Sequence, residues 1–191
     1  MTTLSTAEPL TFPEDSLYEV VDGQVVEKEM SGFAILIALK LYSSWLKHII
    51  FEGRGSGTPL HEMVFVIDSE RDLRRRPDVS FVSAERWPVN RGLPLEGDWA
   101  VIPDIAVEVL SPNDLYQQVD RKLSEYLSYG VREVWLVSPE ARKVEICSSL
   151  NSRASFEVGN TLKTPLIPGW TMEVADLIPL PAPPADAADR G

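Results

Sequence analysis

A carboxylate sits in the middle of the most apolar run of the chain, Ile105-Ala106-Val107-Glu108-Val109-Leu110, and no basic residue lies within that run. Such a run reads as a strand buried on both faces of a sheet. An ionised carboxylate there gives up its hydration for no return unless a cation or a set of donors meets it. The fold must therefore supply Glu108 with partners. Two residues are placed to provide them: Asp78, in Arg76-Pro77-Asp78-Val79-Ser80-Phe81-Val82, and Lys122, on the helix expected after Glu108.

With 191 residues, 44% of them hydrophobic, the chain can form one domain with a full-sized core and is short for two. We expect that domain over residues 14–178, with 1–13 as a loose arm and 179–191 (PLPAPPADAADRG) as a disordered Pro/Ala tail. The single cysteine, Cys147, excludes an intrachain disulfide, and no CxxC or Cys/His cluster suggests zinc. No basic segment followed by an apolar one opens the chain, and no run reaches about 18 uninterrupted apolar residues. These features indicate a cytoplasmic protein that does not enter membranes. A formal charge of −11 excludes a general nucleic-acid coat, so any contact with DNA must be local. The one dense basic run, Arg71, Arg74, Arg75 and Arg76, reads most simply as a solvated loop or strand edge.

Element signals alternate between the two periodicities. Residues 18–21 and 24–29 flank Asp22-Gly23, the signature of a hairpin with a type I′ turn. Residues 33–50 carry apolar side chains at helical spacing, capped by Ser31 or Gly32, and end at the Gly53–Gly57 turn. Residues 63–67 and 77–82 read as strands separated by a charged segment, and 104–110 is the central strand. Ser111-Pro112-Asn113-Asp114 reads as a variant capping box opening a helix that runs to about Tyr129 and stops at Gly130. Residues 131–137 form another buried strand, 143–148 and 155–158 a peripheral pair, and 166–178 close a mixed α/β order without repeats.

Side chains alternate along strands, so Asp104, Ala106, Glu108 and Leu110 share one face, and Asp78 and Ser80 share a face of the earlier strand. On the helix, Leu115, Val119, Lys122, Tyr126 and Tyr129 form one stripe, widened by Leu123 and Leu127. A lysine inside such a stripe is costly unless its ammonium reaches an anion. Two carboxylates and a lysine at a strand end suit metal-assisted phosphodiester hydrolysis: hard oxygen ligands hold Mg²⁺ or Mn²⁺, and the ammonium orients the nucleophile or stabilises developing charge. The plainer readings are a structural Glu108–Lys122 ion pair and an Asp78 that caps a turn. Asp104 reads as a strand-entry residue or as a group supporting the site from behind, and His48 and His61 lack partners at ligand spacing.

The ordered series Tyr18-Glu19-Val20-Val21-Asp22-Gly23, Asp78, Glu108-Val109-Leu110-Ser111-Pro112, Asp120, Lys122, Tyr126, Gly130-Val131 and Glu133-Val134-Trp135-Leu136-Val137 resembles the Uma-two family of putative restriction endonucleases, within the PD-(D/E)XK nuclease superfamily. The resemblance covers nearly the whole chain. It implies a restriction-endonuclease-like core, a central mixed sheet flanked by helices, and a Mg²⁺- or Mn²⁺-dependent endonuclease acting on DNA, expected as a homodimer. It makes Asp78 and Glu108 the metal-binding acids, the carbonyl of Val109 a further ligand, and Lys122 the superfamily's lysine relocated to a helix, since its usual position is Leu110 here. In the superfamily an acid on the first helix often completes the site, and relatives commonly carry a histidine near the start of that helix. Phe33-Ala34-Ile35 replaces the histidine, no acid occurs over 33–42, and Glu19 or Glu29 could substitute for the acid from the hairpin. The alternative is a degenerate nuclease fold acting as a nucleic-acid-binding or regulatory module without cleavage.

Overall fold

The computed structural model describes residues 17–28, 30–94, 97–112 and 114–180. The expected arm, and all but two residues of the expected tail, lie outside them. Strands β1 (Tyr18–Val21) and β2 (Gln24–Glu27) form the predicted hairpin, with Asp22 and Gly23 at φ 51° and 77° as a type I′ turn requires. Helix α1 (Gly32–Leu46) starts where Ser31 Oγ accepts the N–H of Ala34, and a π-helical turn (Lys47–Phe51) prolongs it. By length and composition Gly32–Phe51, at mean hydropathy 1.4, would suffice to cross a bilayer. Its inner face, Ala34, Ile37, Ala38, Leu41 and Trp45, is instead packed into the core.

Then follow β3 (Gly57–His61), β4 (Phe65–Asp68), β5 (Leu73–Arg75), β6 (Val79–Ser83), β7 (Ile105–Val109), α2 (Tyr116–Ser128), β8 (Glu133–Ser138), β9 (Lys143–Ser149) and β10 (Ser152–Glu157). The short pair β11 (Thr161–Leu162) and β12 (Met172–Glu173) and the single turn α3 (Val174–Leu177) are the last elements among the described residues. A six-stranded mixed sheet has the order β10-β9-β8-β7-β6-β3, and a four-stranded sheet the order β2-β1-β5-β4. In the large sheet only β7 and β8 run parallel, the pair that α2 connects.

Alternation along the central strands sorts the core into two layers. Val79, Phe81, Ile105, Val107, Val109 and Trp135 face α1. Val82, Ala106, Val134 and Leu136 face Leu123 and Tyr126 of α2. Glu108 and Asp78 have the parity of Ala106 and Val82, so both point to the α2 side.

Three expectations are corrected. Helix α2 begins at Tyr116, not at Ser111-Pro112: the Asp114 carboxylate accepts the Ser111 N–H (2.6 Å) and the Asp114 N–H donates to the Ser111 carbonyl (3.0 Å), closing a separate turn. Leu115, expected in the buried stripe, is the exposed residue before the helix. Part of the basic run, expected as a solvated loop or strand edge, is strand β5, inserted between β1 and β4. Arg75 is buried there, because an interior strand turns alternate side chains inward.

Gly57 has φ 150°, and a Cβ on it would lie 2.5 Å from the Val82 carbonyl and 2.6 Å from the Phe81 ring. Gly57→Ala is expected to lower the unfolding free energy by about 1–3 kcal/mol, as overpacking of a closed site does, measured by urea denaturation.

Candidate active site

The antiparallel register of β6 and β7 sets Val79 opposite Val107 and Phe81 opposite Ile105, which brings Asp78 beside the Glu108-Val109 step. Two hydrogen bonds lock that juxtaposition. The Asp78 N–H donates to the Val107 carbonyl (2.9 Å), and Asp78 Oδ2 accepts the N–H of Val109 (2.5 Å). The Leu110 N–H donates the other way, to Val137 on β8 (2.8 Å). Across a trans peptide the Val109 carbonyl must oppose it, so this oxygen is turned toward the β6 side, where Asp78 lies.

Glu108 is met from α2. Tyr126 donates its hydroxyl to Oε1 (2.8 Å), and Lys122 Nζ lies 3.1 Å from Oε2. The same ammonium lies 3.1 Å from Glu19 Oε1, on β1. Asp78, Glu108, Val109 and Lys122 are thus brought together, and all four line one cavity of about 260 Å³ with Glu19, Lys28 and Leu110. Helix α1 reaches this cavity with Ala34 and its capping Ser31, so it contributes no carboxylate. Glu29 lies outside the described residues. Asp104, at the far end of β7, is fully buried and accepts from the Ser83 N–H (2.7 Å) with Arg86 at 2.9 Å, a strand-entry anchor away from the cavity.

Several cavity residues were not legible beforehand. Lys28, just past β2, places Nζ 2.6 Å from Asp78 Oδ1 and 3.2 Å from each Glu62 carboxylate oxygen, and donates to the Arg76 carbonyl (2.7 Å). Arg75, expected at a solvated edge, binds Glu19 Oε2 through Nη1 (2.7 Å) and Glu125 Oε2 through Nε (2.9 Å). The available signal was Glu19 itself, a carboxylate in the apolar strand Tyr18-Glu19-Val20-Val21 that needed a cation as Glu108 did. Arg121 and Arg71 hold Asp22 at 2.7 and 2.6 Å, tying the hairpin turn to α2 beside the cavity.

These contacts set the protonation equilibria. Burial raises the Glu108 carboxyl above its ordinary value, and Lys122 and Lys28 offset that only in part. For Glu19 burial also pushes upward, but Lys122, Arg75 and the Arg76 N–H outweigh it and hold the carboxyl low. Burial would lower Lys122, yet Glu108 and Glu19 keep its ammonium well above the ordinary range. Tyr126 is driven up by burial and by the Glu108 charge.

Among the described residues no three His, Cys, Asp or Glu side chains are grouped so as to hold a metal ion by themselves. Asp78 Oδ1 is nevertheless buried without accepting a hydrogen bond of normal geometry, although the Lys28 ammonium is close.

A mixed sheet that carries an aspartate and a glutamate on paired strands to one cavity, with a helix-borne lysine above them, has the restriction-endonuclease-like fold. The chain belongs to the Uma2 family, described as putative restriction endonuclease, whose model matches residues 4–175. It is similar in fold to a crystal structure, at 1.96 Å, of a putative nuclease belonging to DUF820 from Anabaena variabilis ATCC 29413, with a TM-score of 0.71 and 20% identity over 84% of this chain and 89% of that one. No curated protein matches the chain.

Burial pushes the Glu62 carboxyl up to about 7, with Asp78 adding and Lys28 opposing. A folded-state value above the ordinary 4.5 favours folding fully below pH 4.5 and loses that contribution as pH rises through about 7. The unfolding free energy of wild type minus that of Glu62→Gln is therefore expected to fall between those limits, by on the order of 1–3 kcal/mol, in urea titrations across pH.

Proposed function

We propose that this chain is a metal-dependent endonuclease, acting in the cytoplasm, that hydrolyses DNA phosphodiester bonds in the Asp78–Glu108–Lys122 cavity. The observation that carries the reading is that two nearly buried carboxylates on adjacent strands open onto one cavity with an ammonium held against them. The donor set suits a hard divalent ion: Asp78 Oδ1 is buried without a well-formed hydrogen bond, Glu108 stands beside it, and the Val109 carbonyl is turned the same way. Asp78, Glu108 and Val109 would hold Mg²⁺ or Mn²⁺, with waters completing the shell, as small hard cations prefer. Such an ion supplies Lewis acidity and lowers the pKa of a bound water.

The chain does the rest. The Val109 N–H fixes the Asp78 carboxylate, and the Tyr126 hydroxyl fixes that of Glu108, so neither must reorganise when a substrate enters. Lys122 stays protonated and presents its charge where negative charge develops on phosphate oxygens. Tests with supercoiled plasmid should show nicking that requires Mg²⁺ or Mn²⁺ and that falls by about 10²-fold or more in Asp78→Ala, Glu108→Ala and Lys122→Ala. Salt-sensitive duplex binding without cleavage in either metal would replace this reading with the non-cleaving module, which the ammonium of Lys28 on Asp78 favours.

The outer face of α1 and its π turn exposes Ile35, Leu36, Leu39, Ile50 and Phe51. We assign this largely apolar stripe, which Lys40 and the exposed Lys47 interrupt, to a twofold seam with a second copy, since a self-similar apolar stripe can bury itself in an isologous pair and the two cavities could then address both strands of a duplex. Sedimentation at micromolar concentration should give a dimer that Leu39→Glu converts to a folded monomer; a monomeric wild type would rule the seam out.

A further inference from the structure

The Lys28 side chain is 9% exposed, between the 3% of Asp78 and the 12% of Glu62 that it joins. Its ammonium meets four oxygens from three residues: Asp78 Oδ1, both Glu62 carboxylate oxygens and the Arg76 carbonyl. Glu62 is held for this contact. It adopts φ 53°, a left-handed conformation that costs a non-glycine residue energy, and its N–H donates to the Asp78 carbonyl (3.3 Å). The acid behind Lys28 is thus hydrogen-bonded to the residue whose carboxylate Lys28 covers.

The two lysines of the cavity differ in what they occupy. Lys122 sits between Glu108 and Glu19, and none of its contacts described above is to Asp78. Lys28 sits on Asp78 Oδ1, the oxygen left over once Oδ2 is committed to Val109. That oxygen is the one the metal reading needs. An ammonium at 2.6 Å and a divalent ion at bonding distance cannot share it without strong charge repulsion. Retreat is available, because three of the four oxygens around Nζ belong to Glu62 and Arg76 and would remain if the contact to Asp78 opened.

We propose that Lys28 is a built-in counter-cation that neutralises Asp78 in the metal-free protein and competes with the divalent ion for Asp78 Oδ1, with Glu62 and the Arg76 carbonyl as the seat to which its ammonium withdraws. The inference rests on the metal-dependent reading given above. It makes Lys28 a determinant of metal affinity, and it gives Asp78 a partner in both states. Opposite effects follow for two properties that a merely structural lysine would lower together.

Titration calorimetry of Mn²⁺ into the full chain without DNA, paired with thermal melts in EDTA and in Mn²⁺, separates these cases. Lys28→Met should bind Mn²⁺ about tenfold tighter or more while melting lower than wild type in EDTA, and Mn²⁺ should raise its melting temperature further than it raises that of wild type. Glu62→Gln, which weakens the retreat seat and remains informative if Lys28→Met does not fold, should bind Mn²⁺ several-fold more weakly. Wild-type or weaker affinity in Lys28→Met, or unchanged affinity in Glu62→Gln, overturns the competition while leaving metal binding by wild type intact. Absence of Mn²⁺ binding in wild type and both variants overturns the metal reading as well.

Discussion

Two carboxylates held side by side on neighbouring buried strands are the constraint around which this molecule is arranged. The β6–β7 register brings Asp78 beside the Glu108-Val109 step, and both side chains face α2 rather than α1. Left alone, desolvation and mutual repulsion would protonate one of them or open the sheet. Tyr126, Lys122, the Val109 N–H and Lys28 meet this load from a helix, the central strand and the hairpin. The small sheet extends the pattern, with Arg75 on β5 joining Glu19 of β1 to Glu125 of α2.

Arrays of buried ions are poor sources of net stability, because desolvation consumes much of what pairing returns, yet removing one member leaves an uncompensated charge. Their value here lies in position. The ion pairs tie the surrounding elements to the strand ends and to one another: Lys28 joins the hairpin to Asp78, Lys122 joins α2 to Glu108 and Glu19, and Arg75 joins β5 to Glu19 and Glu125. A cavity lined by most of these charges together with Val21, Val26, Met30 and Ala34 is what remains between them. Such a preorganised polar site is what electrostatic catalysis on a phosphodiester requires.

The sequence exposed some of these members and hid others for a consistent reason. Glu108 stood out because an acid in a hydrocarbon strand breaks a local pattern, and Lys122 because it breaks a helical stripe. Lys28 and Arg75 break nothing locally: one follows a short exposed strand, the other sits in a run of arginines that looks like surface. The α2 start departs from its local signal because Ser111 and Asp114 have the residue types of a capping box but close a turn ahead of the helix.

Read alone, the chain determined its hairpin, the capped α1, the central strand with its acid and the stripe that carries Lys122, because turn chemistry and periodicity act over a few residues. It also carried, as an ordered series of short motifs, the family to which it belongs. Only the tertiary structure decided which charges meet. Lys28 finds Glu62 across 34 positions and Arg75 finds Glu125 across 50, and at such separations pairing is set by how sheets and helices stack, which leaves no period in the sequence.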